Sequence, residues 1–299
     1  MRRIVIVTLL ALSLCGSALA QQESRAAAAP ESTRSAQVES RLLDRTFQSA
    51  ALGRPMRYRI LLPKRYFESS RYYPVLYLLH GYAGDYQNWS TLTDLVKYAE
   101  RVPIIIVMPD AGNSWYVDSA GVPQDKFEQY IVHDLVAEVE NNWRALRSPH
   151  RRAIAGLSMG GYGAVNLALK HPDMFAVAVS LSGALNAALP ELEQRADLRA
   201  SLQQTFGAAT SKTRAQNDVY QLAAKADPAK LPYLDIDCGN DDVTFLEPNR
   251  RFAAALTQRK IVFEYHEYPG DHNWQYWDKR LPYTLELVKR YIAPETIER

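Results

Sequence analysis

The chain has 299 residues, 47% apolar and 23% charged, with 35 Lys and Arg against 33 Asp and Glu, a size and balance that fit one large α/β domain. A formal charge of +2 excludes a basic surface built for nucleic acid or anionic lipid. Two cysteines, Cys15 and Cys238, exclude a disulfide framework, so the fold must stand on its core.

Taken in chain order, the N-terminus is set apart from the rest. Arg2 and Arg3 precede an apolar run from Ile4 to Leu14, and Ser17-Ala18-Leu19-Ala20 supplies the small residues that a signal peptidase reads. Residues 1–20 therefore read as a secretory signal cleaved after Ala20. The run falls short of the roughly 18 residues that span a bilayer, so no stable membrane insertion is expected after cleavage. Cleavage removes two arginines and no acid, taking the charge of +2 to 0, and leaves Cys238 as the one cysteine. Residues 21–36, rich in Gln, Ser and Ala, read as a flexible lead-in, and 37–299 as a single domain.

Loose alternation from Val38 to Leu62, clearest at Arg57 to Leu62, predicts antiparallel edge strands ended by Pro63. Val75 to Leu79 and Ile104 to Met108 are continuous apolar runs of the kind buried on both faces of a sheet. The first ends in His80-Gly81-Tyr82 and the second in Pro109-Asp110. A helix is predicted around Gln129 to Leu146, then a strand over Ala153 to Leu157 and a helix over Tyr162 to Lys170. Phe175 to Leu181 reads as a further buried strand. Between 184 and 231 the strand signal is lost, and short helices are expected there, a segment long for a connection that reads as a partial cap. A strand at Tyr233 to Asp237, a helix near Pro248 to Gln258, a strand at Ile261 to Tyr268 and a helix from Pro282 to Tyr291 complete the chain. Strands alternating with helices predict a mostly parallel sheet covered on both faces, with its chemistry just past the carboxyl ends of the strands.

Gly156-Leu157-Ser158-Met159-Gly160 lies where a strand turns into a helix. That pattern fits a nucleophile elbow, in which strained backbone exposes the serine hydroxyl and any flanking Cβ would clash. Serine needs a base to take its proton, and a base needs a carboxylate to hold its tautomer. After Ser158, the strand at Tyr233 runs out into Asn240-Asp241-Asp242 and the strand at Ile261 into Asp271-His272. The order serine, acid, histidine is thus met by Asp242 or its neighbour Asp241, with Asp242 favoured, and then His272. Backbone N–H groups of Met159 and Tyr82 are the expected oxyanion donors. His80 is expected to shape that loop. No clustered His/Cys ligand set or phosphate loop is present, so neither metal nor cofactor is implied.

The blocks Tyr77-Leu78-Leu79-His80-Gly81, Met108-Pro109-Asp110, Gly156-Leu157-Ser158-Met159-Gly160-Gly161, Gly239-x-x-Asp242 and Pro269-Gly270-Asp271-His272-x-x-x-x-Trp277 together resemble the esterase D family of α/β-hydrolases. That group includes S-formylglutathione hydrolases, feruloyl and acetyl esterases and the antigen 85 mycolyltransferases. The resemblance implies an α/β-hydrolase fold with a small helical insert, an ester substrate of small-molecule or carbohydrate type, and Asp242 as the acid. By the same likeness Trp89, Trp115, Tyr116 and Trp277 would bind substrate or brace the site. An export signal argues against a cytoplasmic formylglutathione hydrolase, and His80, where antigen 85 relatives carry aspartate, argues against a mycolyltransferase. The reading is a secreted or periplasmic serine carboxylesterase, with an acyltransferase or a non-catalytic binding protein on the same scaffold as rivals.

Overall fold

The computed structural model describes residues 41–293; the expected signal at 1–20, the lead-in at 21–36 and the domain boundary at 37 lie outside them. Alternation produces β1 (Leu42–Ser49) and β2 (Arg54–Leu61), an antiparallel pair that puts alternate residues of β2 in the core. The apolar runs become β3 (Val75–Leu79), β4 (Ile105–Pro109), β5 (Arg152–Leu157) and β6 (Val177–Leu181), every residue of them buried. They are followed by β7 (Tyr233–Gly239) and β8 (Phe263–Tyr268). The eight strands form one sheet in the order β1-β2-β4-β3-β5-β6-β7-β8. Neighbours from β4 to β8 pair in parallel, while β2 meets both β1 and β4 antiparallel.

Burial on both faces follows from the two-residue period of a strand. Tyr77, Leu79, Val107 and Ile154 face one way, toward Tyr130, Leu135, Val139, Tyr162 and Val165. Leu76, Leu78, Ile106, Ala155 and Leu157 face the other, toward Trp277, Leu281, Leu285 and Val288 of the last helix. Because β3 lies between β4 and β5, the chain leaves it first to one side and then to the other. Such a reversal opens a crevice at the carboxyl ends of the strands, and here the two ends that border it are His80-Gly81 and Ser158. Among the described residues, no helix is long and apolar enough to cross a membrane.

Residues 184–231 hold a short 3-10 turn, Pro190–Gln194, and the helices Ala196–Phe206, Lys212–Gln216 and Val219–Lys225. They rest on the helix that follows the serine, Met159–Lys170. Tyr162 Oη donates to the Asn217 carbonyl at 2.7 Å, Asn166 Nδ2 to Asn217 Oδ1 at 3.1 Å, and the rings of Tyr162 and Phe206 meet edge to face.

Two helix boundaries differ from expectation. The helix predicted over Gln129 to Leu146 is a continuous stretch of Phe127–Gln129, a π-type segment Tyr130–Leu135, and Val136–Asn142; Trp143 is already extended. The last helix starts at Trp274 rather than at Pro282, which sits inside it. Proline costs an interior helix about 3 kcal/mol. Tyr276, Trp277, Leu281, Leu285, Val288 and Ile292 are all buried on one face, and at about 1.5–3 kcal/mol per buried side chain they outweigh that cost. The start is set by Asn273, whose side chain accepts from the Tyr276 amide at 3.0 Å.

Candidate active site

Ser158 stands at the junction of β5 and its helix with φ 53° and ψ −117°, a conformation few non-glycine residues adopt. The turn is tight enough that a Cβ on Gly156 would come within 2.4 Å of the Gly160 backbone, and one on Gly160 within 2.5 Å of the Leu79 carbonyl. Both positions therefore require glycine. Backbone bonds hold the strained residue: Ser158 N–H to Leu181 O, and Tyr162 and Ala184 N–H to Ser158 O, each at 3.0 Å. The hydroxyl is left facing the cleft.

His272 Nε2 lies 2.9 Å from Ser158 Oγ, and its Nδ1 lies 2.7 Å from Asp242 Oδ2. A carboxylate accepts only, so Nδ1 carries the proton, and Nε2 is left with its lone pair toward the hydroxyl. Asp242 is fully buried; its second oxygen accepts from the amides of Thr244 at 3.2 Å and Phe245 at 3.0 Å. The structure therefore brings together Ser158, Asp242 and His272, and leaves Asp241 exposed, its amide bonded to the Gly270 carbonyl at 2.9 Å. The third acid, Asp237, is occupied elsewhere, by Arg280 at 2.6 Å and by the Tyr276 hydroxyl. The imidazole is packed between the ring of Phe245, 4.8 Å away, and the edge of Trp277, 4.9 Å away.

Across the crevice, Tyr82 sits in a turn closed by Gly84 N–H to Gly81 O at 3.1 Å, and Met159 begins the helix, where amides have no intrahelical acceptor. A Cβ on Gly81 would come 3.5 Å from that of Ser158, so the two segments touch. His80 is buried beneath them: its Nε2 accepts from the Ala111 amide at 3.1 Å, which leaves Nδ1–H to donate to Gly81 O at 2.8 Å. Burial pushes its pKa down, favouring this neutral form.

Of the four aromatics expected to bind substrate or brace the site, Trp89 and Tyr116 stand outside the cleft walls. Both are buried, and Trp89 packs edge to face behind the cleft residue Trp274. Their polar ends bond backbone carbonyls, Trp89 Nε1 to Leu79 O and Tyr116 Oη to His80 O, both at 2.9 Å, so they brace the His80 loop instead. Tyr116 has a positive φ of 58°. Trp115, also at positive φ, and Trp277 do line the cleft.

The cleft has a volume of about 450 Å³. Besides Tyr82, Trp115 and Trp277, its walls include residues that sequence reasoning missed: Arg195, Asp197 and Leu198 from the insert, Thr244 and Phe245 after Asp242, and Trp274. Phe245 and Trp274 stand within three residues of Asp242 and His272, and that closeness was a usable signal. The insert residues carried none. Away from the cleft, Asp235, Glu264 and His266 bring three possible ligand atoms within 4.8 Å of one another on β7 and β8, with His266 Nε2 bonded to Glu264 at 3.1 Å.

The model of the Esterase family matches residues 49–287. The chain belongs to that family. An acetyl esterase of Caldicellulosiruptor saccharolyticus is 28% identical to this esterase over 222 residues, 72% of this chain and 83% of that one. Among solved structures, the fluorophosphonate-binding serine hydrolase F of Staphylococcus aureus aligns with a TM-score of 0.74 at 25% identity, covering 83% of this esterase and 97% of that chain. A ferulic acid esterase aligns with a TM-score of 0.73 at 28% identity, covering 84% and 98%. The protein is a carboxylic ester hydrolase of the α/β-hydrolase fold.

Proposed function

We propose that the chain is an exported serine carboxylesterase that works through an acyl-enzyme intermediate. The observation that carries the reading is the single imidazole of His272 within hydrogen-bond reach of both Ser158 Oγ and Asp242 Oδ2. In this reading Ser158 attacks the ester carbonyl while His272 Nε2 takes its proton, and Asp242 stabilises the imidazolium. The oxyanion is met by the amides of Met159 and Tyr82, each such donor contributing about 3 kcal/mol to lowering the barrier. His272 then protonates the departing alcohol. Water, deprotonated by the same nitrogen, attacks the acyl-enzyme, and collapse releases the acid and restores the Ser158 hydroxyl.

The substrate reading is an acetyl or feruloyl ester of a carbohydrate or small molecule. It is supported by a cleft of about 450 Å³ with Trp115, Phe245, Trp274 and Trp277 in its walls and by the acetyl esterase and ferulic acid esterase among its relatives. Export rests on the signal read at residues 1–20. The test is hydrolysis of p-nitrophenyl acetate and methyl ferulate by the purified mature chain, with fluorophosphonate labelling of Ser158. Retention of near wild-type rates by Ser158→Ala would end the proposal. Product analysis with a low concentration of added alcohol separates hydrolysis, which gives only acid, from acyl transfer, which gives a new ester.

A further inference from the structure

Two residues, Arg195 and Thr244, line both the cleft and a second cavity of about 540 Å³. The walls of that cavity include Leu192, Glu247, Pro248 and Arg251, which supply both apolar and charged surface. Arg195 Nη1 donates to Thr244 Oγ1 at 3.2 Å, while Nε and Nη2 grip the two oxygens of Asp197 at 3.0 and 2.8 Å. The insert thus reaches across and touches the loop of the acid, since Thr244 is the residue whose amide donates to Asp242 Oδ1.

Thr244 adjoins Phe245, whose ring packs against that of His272, so the contact stands on the imidazole side of the cleft. In ester cleavage the departing alcohol takes its proton from the imidazole, and it must lie on that side. Resting on the esterase reading above, we propose that the Arg195–Thr244 contact is the wall that limits the alcohol portion of the substrate, and that opening it joins the two cavities into one longer groove.

The wall is built to yield. The Arg195 and Asp197 side chains are 48% and 58% exposed, and an ion pair in that setting is weak and screened by salt. Only one hydrogen bond ties it to Thr244. A pair already satisfied by Asp197 offers little net charge to an anionic ligand, so its effect is on length and shape.

Two ester series test this: acetates of alcohols from methanol to octanol, and p-nitrophenyl esters of acids from acetic to octanoic. In Arg195→Ala, kcat/KM for octyl acetate relative to ethyl acetate rises about tenfold, the factor expected when two further methylenes find a buried site. Thr244→Val, which keeps the shape and removes the acceptor, moves the ratio in the same direction and carries the test if the arginine variant does not fold. The acyl series keeps its profile. An unchanged alcohol ratio in a variant that still labels with fluorophosphonate overturns the proposal, as does a shift confined to the acyl series. A wild-type chain that hydrolyses neither series removes the esterase reading itself, and the proposal with it.

Discussion

Ser158 Oγ and His272 Nε2 lie 2.9 Å apart although 114 residues separate them in the chain. They are held there by different devices, a strained turn at the end of β5 and the capped start of the last helix. The contact therefore reports the position of β8 and that helix relative to β5.

Removing either partner should abolish catalysis rather than binding. Ser158→Ala and His272→Ala are expected to lower kcat on p-nitrophenyl acetate by at least about 10⁴-fold, and Asp242→Asn by a similar factor. Asp241→Asn, at an exposed position, should stay within about twofold of wild type. Steady-state kinetics of the four variants decide between the two acids, and equal losses at 241 and 242 would contradict the geometry.

The elbow should not accept an added methyl. In Gly160→Ala the new Cβ meets the Leu79 and His80 carbonyls at 2.5 and 2.6 Å, and since backbone on both sides must move, a loss of about 3 kcal/mol is expected. Thermal denaturation and fluorophosphonate labelling check this; wild-type values for both would show the turn to be looser than described.

Tyr116→Phe leaves the His80 carbonyl without its donor in a fully buried place. The expected cost is about 1–3 kcal/mol of stability, read by denaturant unfolding. Because the ring does not touch the cleft, kcat should fall through displacement of the His80 loop while KM for p-nitrophenyl acetate stays within about twofold. A change in KM alone would restore a substrate contact.

Asp235 gives a pH prediction. Burial pushes its carboxyl up to about 6, above the ordinary value of an unfolded chain. The unfolded state then loses its proton first as pH rises, so the contribution of this group to stability is fully present at low pH and is lost between about 3.8 and 6. Asp235→Asn should stabilise the fold at pH 7.5 by about 3 kcal/mol and by much less at pH 4. Urea unfolding at the two values checks the sign.

Much of this was legible in the chain. The buried strands from β3 to β6 announced themselves as apolar runs; the elbow glycines, Asp242 and His272 follow β5, β7 and β8, because a parallel sheet gathers its strand ends at one edge. Side-chain direction was not legible. Trp89 and Tyr116 looked like Trp115 in the sequence, yet their polar ends are taken by the Leu79 and His80 carbonyls, while that of Trp115 reaches Ser201 of the insert. Pro282 resembled a helix start because proline suits the first turn, and only the packed face of the helix overrides that. Arg195 and Asp197 sit in a segment without period, so nothing local pointed them toward the cleft.

The anchoring of the insert on the serine's own helix, through Tyr162, Asn166 and Asn217, ties the outer wall of the cleft to the nucleophile. Tyr162 and Asn166 stand four and eight residues after Ser158 on one helix, so the insert and the nucleophile share a single rigid support. Loosening Asn217 would thus be felt at the elbow before it is felt at the cleft wall that Arg195, Asp197 and Leu198 form.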